Sequence, residues 1–527
     1  MIGDSNRIAI SFLLLGAFSA GSAGAQGFSR YVLTLEHEFG AVYHFDLTGD
    51  GMEELVVIVV DRSERVSRMY VSAYLHTGDG FQPAGPPLPV PSSLALAGVG
   101  RFGEAPGLAL LLPEWVEVWP WRDGAFHPEE RRTYRVDSAF PVEASEVIQG
   151  VEWIVDLNGD GSHEIVVPRF DGLQLLRLRP NGMLSGMGLL RIRPRTRYWR
   201  GLTYRAVVHD LPTSFFVDVD GNGWKDVIAF RDDQLSIFLM DGTYRADGPA
   251  PYIAQDLQPP VPFDPEAPYD PPLRLVRAED LNGDGLLDLV VSKNAPTDSD
   301  FEATSSTLIY FGRRNASGGL APYPGQPDQV FVSEGFALPM LLDLDGNGST
   351  DLIQVNVEIT FWNAVRAVIT KTVKAEAAFY LMTDEGRYPA VPDELESYSV
   401  NFSLTRFGHQ PIATWGDLNG DNLPDLLLSA DRQVLGIHWG REGKFWDDDE
   451  DESIEDFIPI LQRRFIVADL NGDRRQDLLL TYIRDDNRQM PETVKTLTVL
   501  ISRLGQPEDE DSAEEGSTAS RSTRGQG

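Results

Sequence analysis

Asp46, Thr48, Asp50 and Glu54 stand at positions one, three, five and nine of the phrase DLTGDGMEE. The same spacing returns at Asp156, Asn158, Asp160 and Glu164, and at Asp218, Asp220, Asn222 and Asp226. It returns again at Asp280, Asn282, Asp284 and Asp288, and at Asp343, Asp345, Asn347 and Asp351. Two further copies are Asp417, Asn419, Asp421 and Asp425, then Asp469, Asn471, Asp473 and Asp477. Short oxygen side chains at alternate positions of a tight loop converge on one centre. Calcium prefers that arrangement, taking roughly six to eight oxygen ligands at flexible geometry. The carbonyl at position seven would add an oxygen, with water completing the shell. Positions four and six are usually Gly, which lets the backbone turn with φ > 0.

Charge supports a cation. Each copy holds three carboxylates and one neutral Asn or Thr oxygen, together 21 of the chain's 80 acidic residues. A dication would leave each loop near −1, so the expectation is up to seven calcium ions. One such copy would pass for an acidic turn; seven in register do not. The loop resembles the start of an EF-hand loop but stops at position nine and lies between strand signals. Two copies depart from the pattern: Thr48 and Glu54 mark the first, and Arg474 and Arg475 replace the usual glycine and its neighbour in the last. The copies at Asp218 and Asp343 exchange Asp and Asn between positions three and five, which keeps the charge.

The elements that position these loops repeat with them. Successive copies start 110, 62, 62, 63, 74 and 52 residues apart, so an eighth unit is expected near Arg101. There GVGRFGEAPGLALLL keeps the apolar frame, lacks the acids and is two residues shorter. An apolar segment precedes each phrase, a run such as LVVIVV or DLLL follows, and a third strand signal comes later. Many of these third strands end in a glycine-aromatic turn, as at Gly80-Phe81, Gly124 with Phe126, or Gly386 with Tyr388. Short apolar runs bounded by Gly, Pro, Asn and Asp are strands. Eight such units without helical periodicity predict an all-β, eight-bladed β-propeller, or a seven-bladed one if the degenerate unit forms no blade.

The phrase D-x-[ND]-G-[DN]-G-x-x-[DE]-[LIV], with its strands and glycine-aromatic turn, resembles the FG-GAP/VCBS repeat family. That family includes the propeller of integrin α-subunits and many secreted bacterial proteins. The resemblance covers nearly all of the chain after its first segment. It implies calcium in the loops between first and second strands of most blades, and none in the blade near Arg101. It implies little about activity, since adhesins, lectins and some lyases share the repeat.

The composition bounds the rest. Ile8 to Phe18 form an apolar stretch of eleven behind Arg7, closing at Ala23-Gly24-Ala25. It reads as a signal peptide over 1–25, being too short for a span of about 20 residues. Export to the periplasm, cell surface or medium is expected. The chain has no cysteine, hence no disulfide and no thiolate metal site, and a formal net charge of −35. Nucleic acid and anionic lipid surfaces need positive patches, so both are poor partners. The propeller is expected over 26–505 and a disordered acidic tail over 506–527.

Three other stretches stand out. RIRPRTRYWR holds Arg193, Arg195, Arg197 and Trp199, and it could bind an anionic sugar or acidic partner. The bland alternative is the solvent face of an outer strand. Pro259–Pro272 reads as a long loop between blades, and Asp447–Asp456 as a solvated charge run. No G-x-S-x-G, H-E-x-x-H or phosphate-binding loop occurs. The reading is a binding or adhesion module with a protein or carbohydrate ligand. The alternatives are a polysaccharide-lyase-type enzyme on the same scaffold and a purely structural envelope scaffold. Arg, Lys or Tyr from different blades clustered at one mouth of the channel would favour the lyase; exposed Trp and Tyr there without basic groups would favour binding.

Overall fold

The computed structural model describes residues 27–503 apart from 64–66, 79, 141–150, 193–195, 201–204, 210, 232, 244–247, 258–272, 297–302, 335, 358–371, 402–411, 430–432, 442–445, 447–449, 460–463 and 483–492. The expected signal segment, the acidic tail, Pro259–Pro272, Arg193 and Arg195 lie outside these residues. Eight antiparallel sheets form a ring, with blades over 38–90, 96–135, 154–191, 213–256, 274–334, 336–401, 412–455 and 465–502. First strands touch between blades one and two, two and three, four and five, and seven and eight. The propeller is therefore eight-bladed. The degenerate unit forms blade two, in which Leu96–Phe102 and Ala105–Leu111 are joined through Gly103 and Glu104 alone.

Burial on both sheet faces explains the continuous apolar runs. In the second strand of blade one, Glu54–Asp61, alternate residues point to opposite neighbours. Val56, Ile58 and Val60 pack toward blade two, whereas Leu55, Val57 and Val59 pack toward blade eight. The pattern repeats around the ring: eight buried apolar clusters among the described residues, one at each blade interface. The core of this protein lies between blades. Each blade is a sheet too thin to hold one alone.

Ring closure uses both ends of the described chain. Blade eight takes Phe465–Ala468, Asp477–Thr481 and Thr496–Ser502 from the C-terminal side, and its outer strand is Phe28–Thr34. That N-terminal strand pairs in unbroken antiparallel register from Phe28 opposite Ser502 to Thr34 opposite Thr496. This strand was not singled out in the sequence, because it precedes the first acidic phrase and carries no repeat signature.

Two expectations for the remaining stretches change. Arg191 ends the fourth strand of blade three, Leu184–Arg191, but Thr196–Arg200 pairs with Arg205–His209 in a separate two-stranded hairpin. Arg191 alone therefore ends an outer blade strand, whereas Thr196–Arg200 belongs to an insertion between blades three and four. Arg197 and Trp199 sit in that hairpin. The acidic run is not only a solvated charge run, since Glu452–Glu455 forms the fourth strand of blade seven.

Candidate metal centre

All seven acidic phrases connect the first strand of a blade to its second, so they gather on one face of the ring. Within each loop the position-one aspartate folds the backbone around itself. In the fourth blade Asp218 Oδ1 accepts the N–H groups of Gly221 and Asn222 at 2.8 and 3.1 Å, and Oδ2 accepts Gly223 N–H at 2.8 Å. Asp343 does the same with Gly346, Asn347 and Gly348. Position five then takes the N–H of position seven, as in Ser162 to Asp160 at 2.7 Å and Leu286 to Asp284 at 2.8 Å. Position six adopts a left-handed φ in every loop, which Gly supplies at five sites and Asn422 and Arg474 at the other two.

Position nine plays a second part that its residue type did not disclose. Glu54, Glu164, Asp226, Asp288, Asp351, Asp425 and Asp477 are all at most 3% exposed. Each accepts the N–H of position two of its own loop, for example Leu281 to Asp288 at 3.0 Å and Leu470 to Asp477 at 2.9 Å. The aspartates use their other oxygen on an N–H at or just beyond the end of the third strand, from Met240, Gly312, Met382, Gly440 and Ser502. This carboxylate ties the loop to the blade. Burial pushes these groups up to about 7 for Glu164, Asp288, Asp425 and Asp477 and about 6 for Asp226 and Asp351. Backbone N–H donors oppose the shift, and the other acids of the same loop add to it.

The loops are also joined to one another. The position-eight N–H donates to a carbonyl in the preceding loop: Glu53 to Leu470, Lys225 to Leu157, Thr350 to Leu281 and Gln476 to Asp417, at 2.5–2.8 Å. His163 donates likewise to Arg101 in blade two at 2.6 Å, and Ser162 Oγ accepts Gly103 N–H at 2.8 Å. In blade seven Pro424 holds position eight and has no N–H to give. The position-eight carbonyl is clamped from within its own blade. Tyr323 Oη donates to Leu287, Tyr388 Oη to Thr350 and Trp446 Nε1 to Pro424, at 2.7–2.8 Å. Tyr388 is the aromatic of an expected turn, Trp446 follows the turn expected at Gly443 and Phe445 by one residue, and Tyr323 was not singled out in the sequence.

The oxygens present fit a hard cation. Carboxylate oxygens of Asp218, Asp220 and Asp226 lie within 4.8 Å of one another, and so do those of Asp343, Asp345 and Asp351. These two loops carry Asp at position three, which shows that positions one, three and nine converge. Where Asn158, Asn419 and Asn471 hold position three, Nδ2 instead donates to the position-five carboxylate, as in Asn158 to Asp160 at 2.8 Å and Asn419 to Asp421 at 3.0 Å, whereas Asn282 Nδ2 donates to the Gly386 carbonyl at 3.4 Å. In the first loop Glu54 Oε2 accepts the N–H groups of Leu47 and Thr48, while Oε1 is buried with no hydrogen-bond partner. A buried acceptor with nothing to accept is costly unless a cation meets it. Among the described residues the three acids converge within 4.8 Å in the loops at Asp218 and Asp343. In the loop at Asp469 a competing cation, Arg475, pairs with the position-five acid Asp473. Desolvation pushes Asp473 up, but the Arg475 guanidinium and N–H and the Asn471 amide hold it below its ordinary value.

The buried carboxyls make a signed prediction for the metal-free protein. Their folded values lie above the unfolded Asp and Glu values of about 4, so the native state keeps protons that the unfolded chain releases. The resulting stabilisation is full below about pH 4 and is lost as pH rises toward 7. Metal-free protein should therefore melt higher at pH 5 than at pH 7.5, and added calcium should raise the midpoint more at pH 7.5. Thermal melts of the dialysed protein check this; a midpoint that climbs from pH 5 to 7.5 without calcium contradicts it.

A second cavity-forming feature lies on the axis. First strands of blades eight, one, two and three surround a cavity of about 250 Å³ whose lining includes Tyr43, His44, Gly98, Glu152, Trp153 and Ile466. Among the described residues no helix is long and apolar enough to cross a membrane.

No curated protein matches the chain. The chain is similar to BBS1N, crystallised in complex with ARL6DN and soaked with lead, at 9% identity over 89% of this chain and 94% of that one, with a TM-score of 0.31. It is similar to a protein from Lactobacillus plantarum at 15% identity over 66% of this chain and 85% of that one, also with a TM-score of 0.31. Residues 218–291 match the model of the FG-GAP-like repeat. That stretch runs from the loop of blade four, through its remaining strands, to the second strand of blade five. The protein is an eight-bladed β-propeller that carries an FG-GAP-like repeat.

Proposed function

We propose that this is an exported calcium-binding propeller that serves as a ligand-binding or adhesion module for a protein or carbohydrate. The observation that carries the metal reading is the convergence of three carboxylates within 4.8 Å in the loops at Asp218 and Asp343. Each loop has a ninth-position acid already anchored by backbone, so a cation completes a preformed cradle. Asp and Glu oxygens with carbonyls and water are the donors of calcium, and the donor set offers no soft ligand. The FG-GAP resemblance points the same way. The segment 1–25 supplies the export signal, with the mature chain starting near Gln26.

The described lining of the axial cavity lacks the Arg and Lys that lyase chemistry on an acidic sugar would use. That lining pairs the aromatics Tyr43 and Trp153 with Glu152 and His44. A lyase acting on an anionic polysaccharide would need basic groups to bind the acid and hold the developing carbanion. Glycan and protein arrays probed with calcium, and again after chelation, test the proposal. Binding that disappears on chelation and returns with calcium is expected. Binding indifferent to calcium, or release of unsaturated products from an anionic polysaccharide, would overturn it.

A further inference from the structure

We propose that the loop at Asp469 takes no divalent cation, because the guanidinium of Arg475 supplies its positive charge from within the chain. The inference rests on the calcium reading for the other six loops, and it makes the site count six rather than seven. Asp473 holds position five, which a cation would need. Its Oδ1 accepts the Arg475 N–H at 2.9 Å. Its Oδ2 accepts Asn471 Nδ2 at 3.0 Å, Arg475 Nε at 3.2 Å and Arg475 Nη2 at 2.5 Å. A charge-assisted pair of this kind is the strong class of hydrogen bond.

The charge balance agrees with the geometry. Three carboxylates against Arg474 and Arg475 leave −1 in this phrase. A dication leaves the same balance in the loop at Asp280, which has three carboxylates and no basic residue. Adding two further positive charges beside a bound guanidinium would be repulsive at a few ångströms. Arg475 is also packed in place: its side chain is 12% exposed. It lies along the loop of blade seven, where a Cβ at Gly420 would come within 3.2 Å of its Cγ.

The position of this loop gives the substitution a consequence. Blade eight is where the N-terminal strand closes the ring, and its loop touches the metal-type loops on both sides. Gln476 N–H donates to Asp417, Glu53 N–H donates to Leu470, and the Gly472 backbone lies against the Gly51 carbonyl. The loop at Asp469 is thus a metal-free brace at the seam. It would hold the closing blade in register while calcium leaves the neighbouring sites.

Crystals grown in calcium, analysed by anomalous scattering, give the count site by site. Six ions are expected in the wild type, with none at Asp469. The double variant Arg474→Gly/Arg475→Ser, whose loop reads DLNGDGSQD, should gain an ion there. An ion at Asp469 in the wild type, or no gain in the double variant while the other loops fill, would overturn the proposal. No ion at any loop would sink the calcium reading instead, and a separate arm still decides this one. In metal-free protein Arg475→Met should lower the thermal midpoint by several degrees; an unchanged midpoint would show that the guanidinium does not hold the loop.

Discussion

Removing residues 27–34 should open the ring. The strand Phe28–Thr34 pairs along its whole length with Thr496–Ser502. Its buried Leu33 joins Leu497 and Val499 of blade eight and Leu55 and Val57 of blade one in a single cluster. Arg30 Nε reaches Asp456 of blade seven at 2.6 Å, so the strand touches three blades. Each lost ladder hydrogen bond costs about 0.5–1.5 kcal/mol net, and losing the burial of one leucine about 1.5–3 kcal/mol. The total is several kcal/mol, a large share of a typical stability of about 5–15 kcal/mol. It would also leave an unpaired edge on the third strand of blade eight, a template for association. Hydrogen exchange should show Thr496–Ser502 deprotected in the truncated protein, together with a fall in midpoint and a tendency to dimerise. A truncated protein that keeps its protection there would show that closure does not depend on this strand.

The second large effect separates two roles within one loop. Asp288 is fully buried and accepts Leu281 N–H at 3.0 Å and Gly312 N–H at 2.7 Å. Asp288→Ala leaves two buried donors without acceptors, at about 1–3 kcal/mol each. It should destabilise the protein with or without calcium, by roughly 3–5 kcal/mol in urea or thermal unfolding. Asp284, by contrast, is exposed and holds only the N–H of Leu286. Asp284→Ala should remove about one calcium site and lower the midpoint when calcium is present, while changing metal-free protein little. Equal losses from both variants in metal-free protein would mean that position nine is no more structural than position five.

The acidic phrase made the architecture legible because its period, its flanking strands and its glycines all serve one purpose. The degenerate blade was legible for the same reason, since Phe102, Gly103 and Leu108–Leu112 keep the frame when the acids are gone. The double duty of position nine was not. An Asp or Glu in a motif reads as a ligand, and only three dimensions show that Gly312 or Ser502 brings an N–H to it from the end of the third strand. The belt between loops was hidden because its donors and acceptors are backbone groups that leave no mark on residue type. Arg475 was visible only as a departure from the pattern; its contact with Asp473 and its packing on Gly420 turn that departure into a cation. The arginine-rich stretch showed the right local structure in the wrong place, since alternation predicts a strand but does not say which sheet it joins.

The central claim is that calcium completes these loops, and a thermal melt tests it most directly. A ligand that binds only the native state stabilises it by about 2.7 kcal/mol per site at a hundredfold excess over Kd. Loops of this kind, without a bidentate Glu beyond position nine, should bind in the range of about 10⁻⁴–10⁻³ M. The melt should therefore compare chelated protein with protein in excess calcium at matched ionic strength. The account predicts a midpoint higher by on the order of ten degrees in calcium. A midpoint that is the same in both would contradict it.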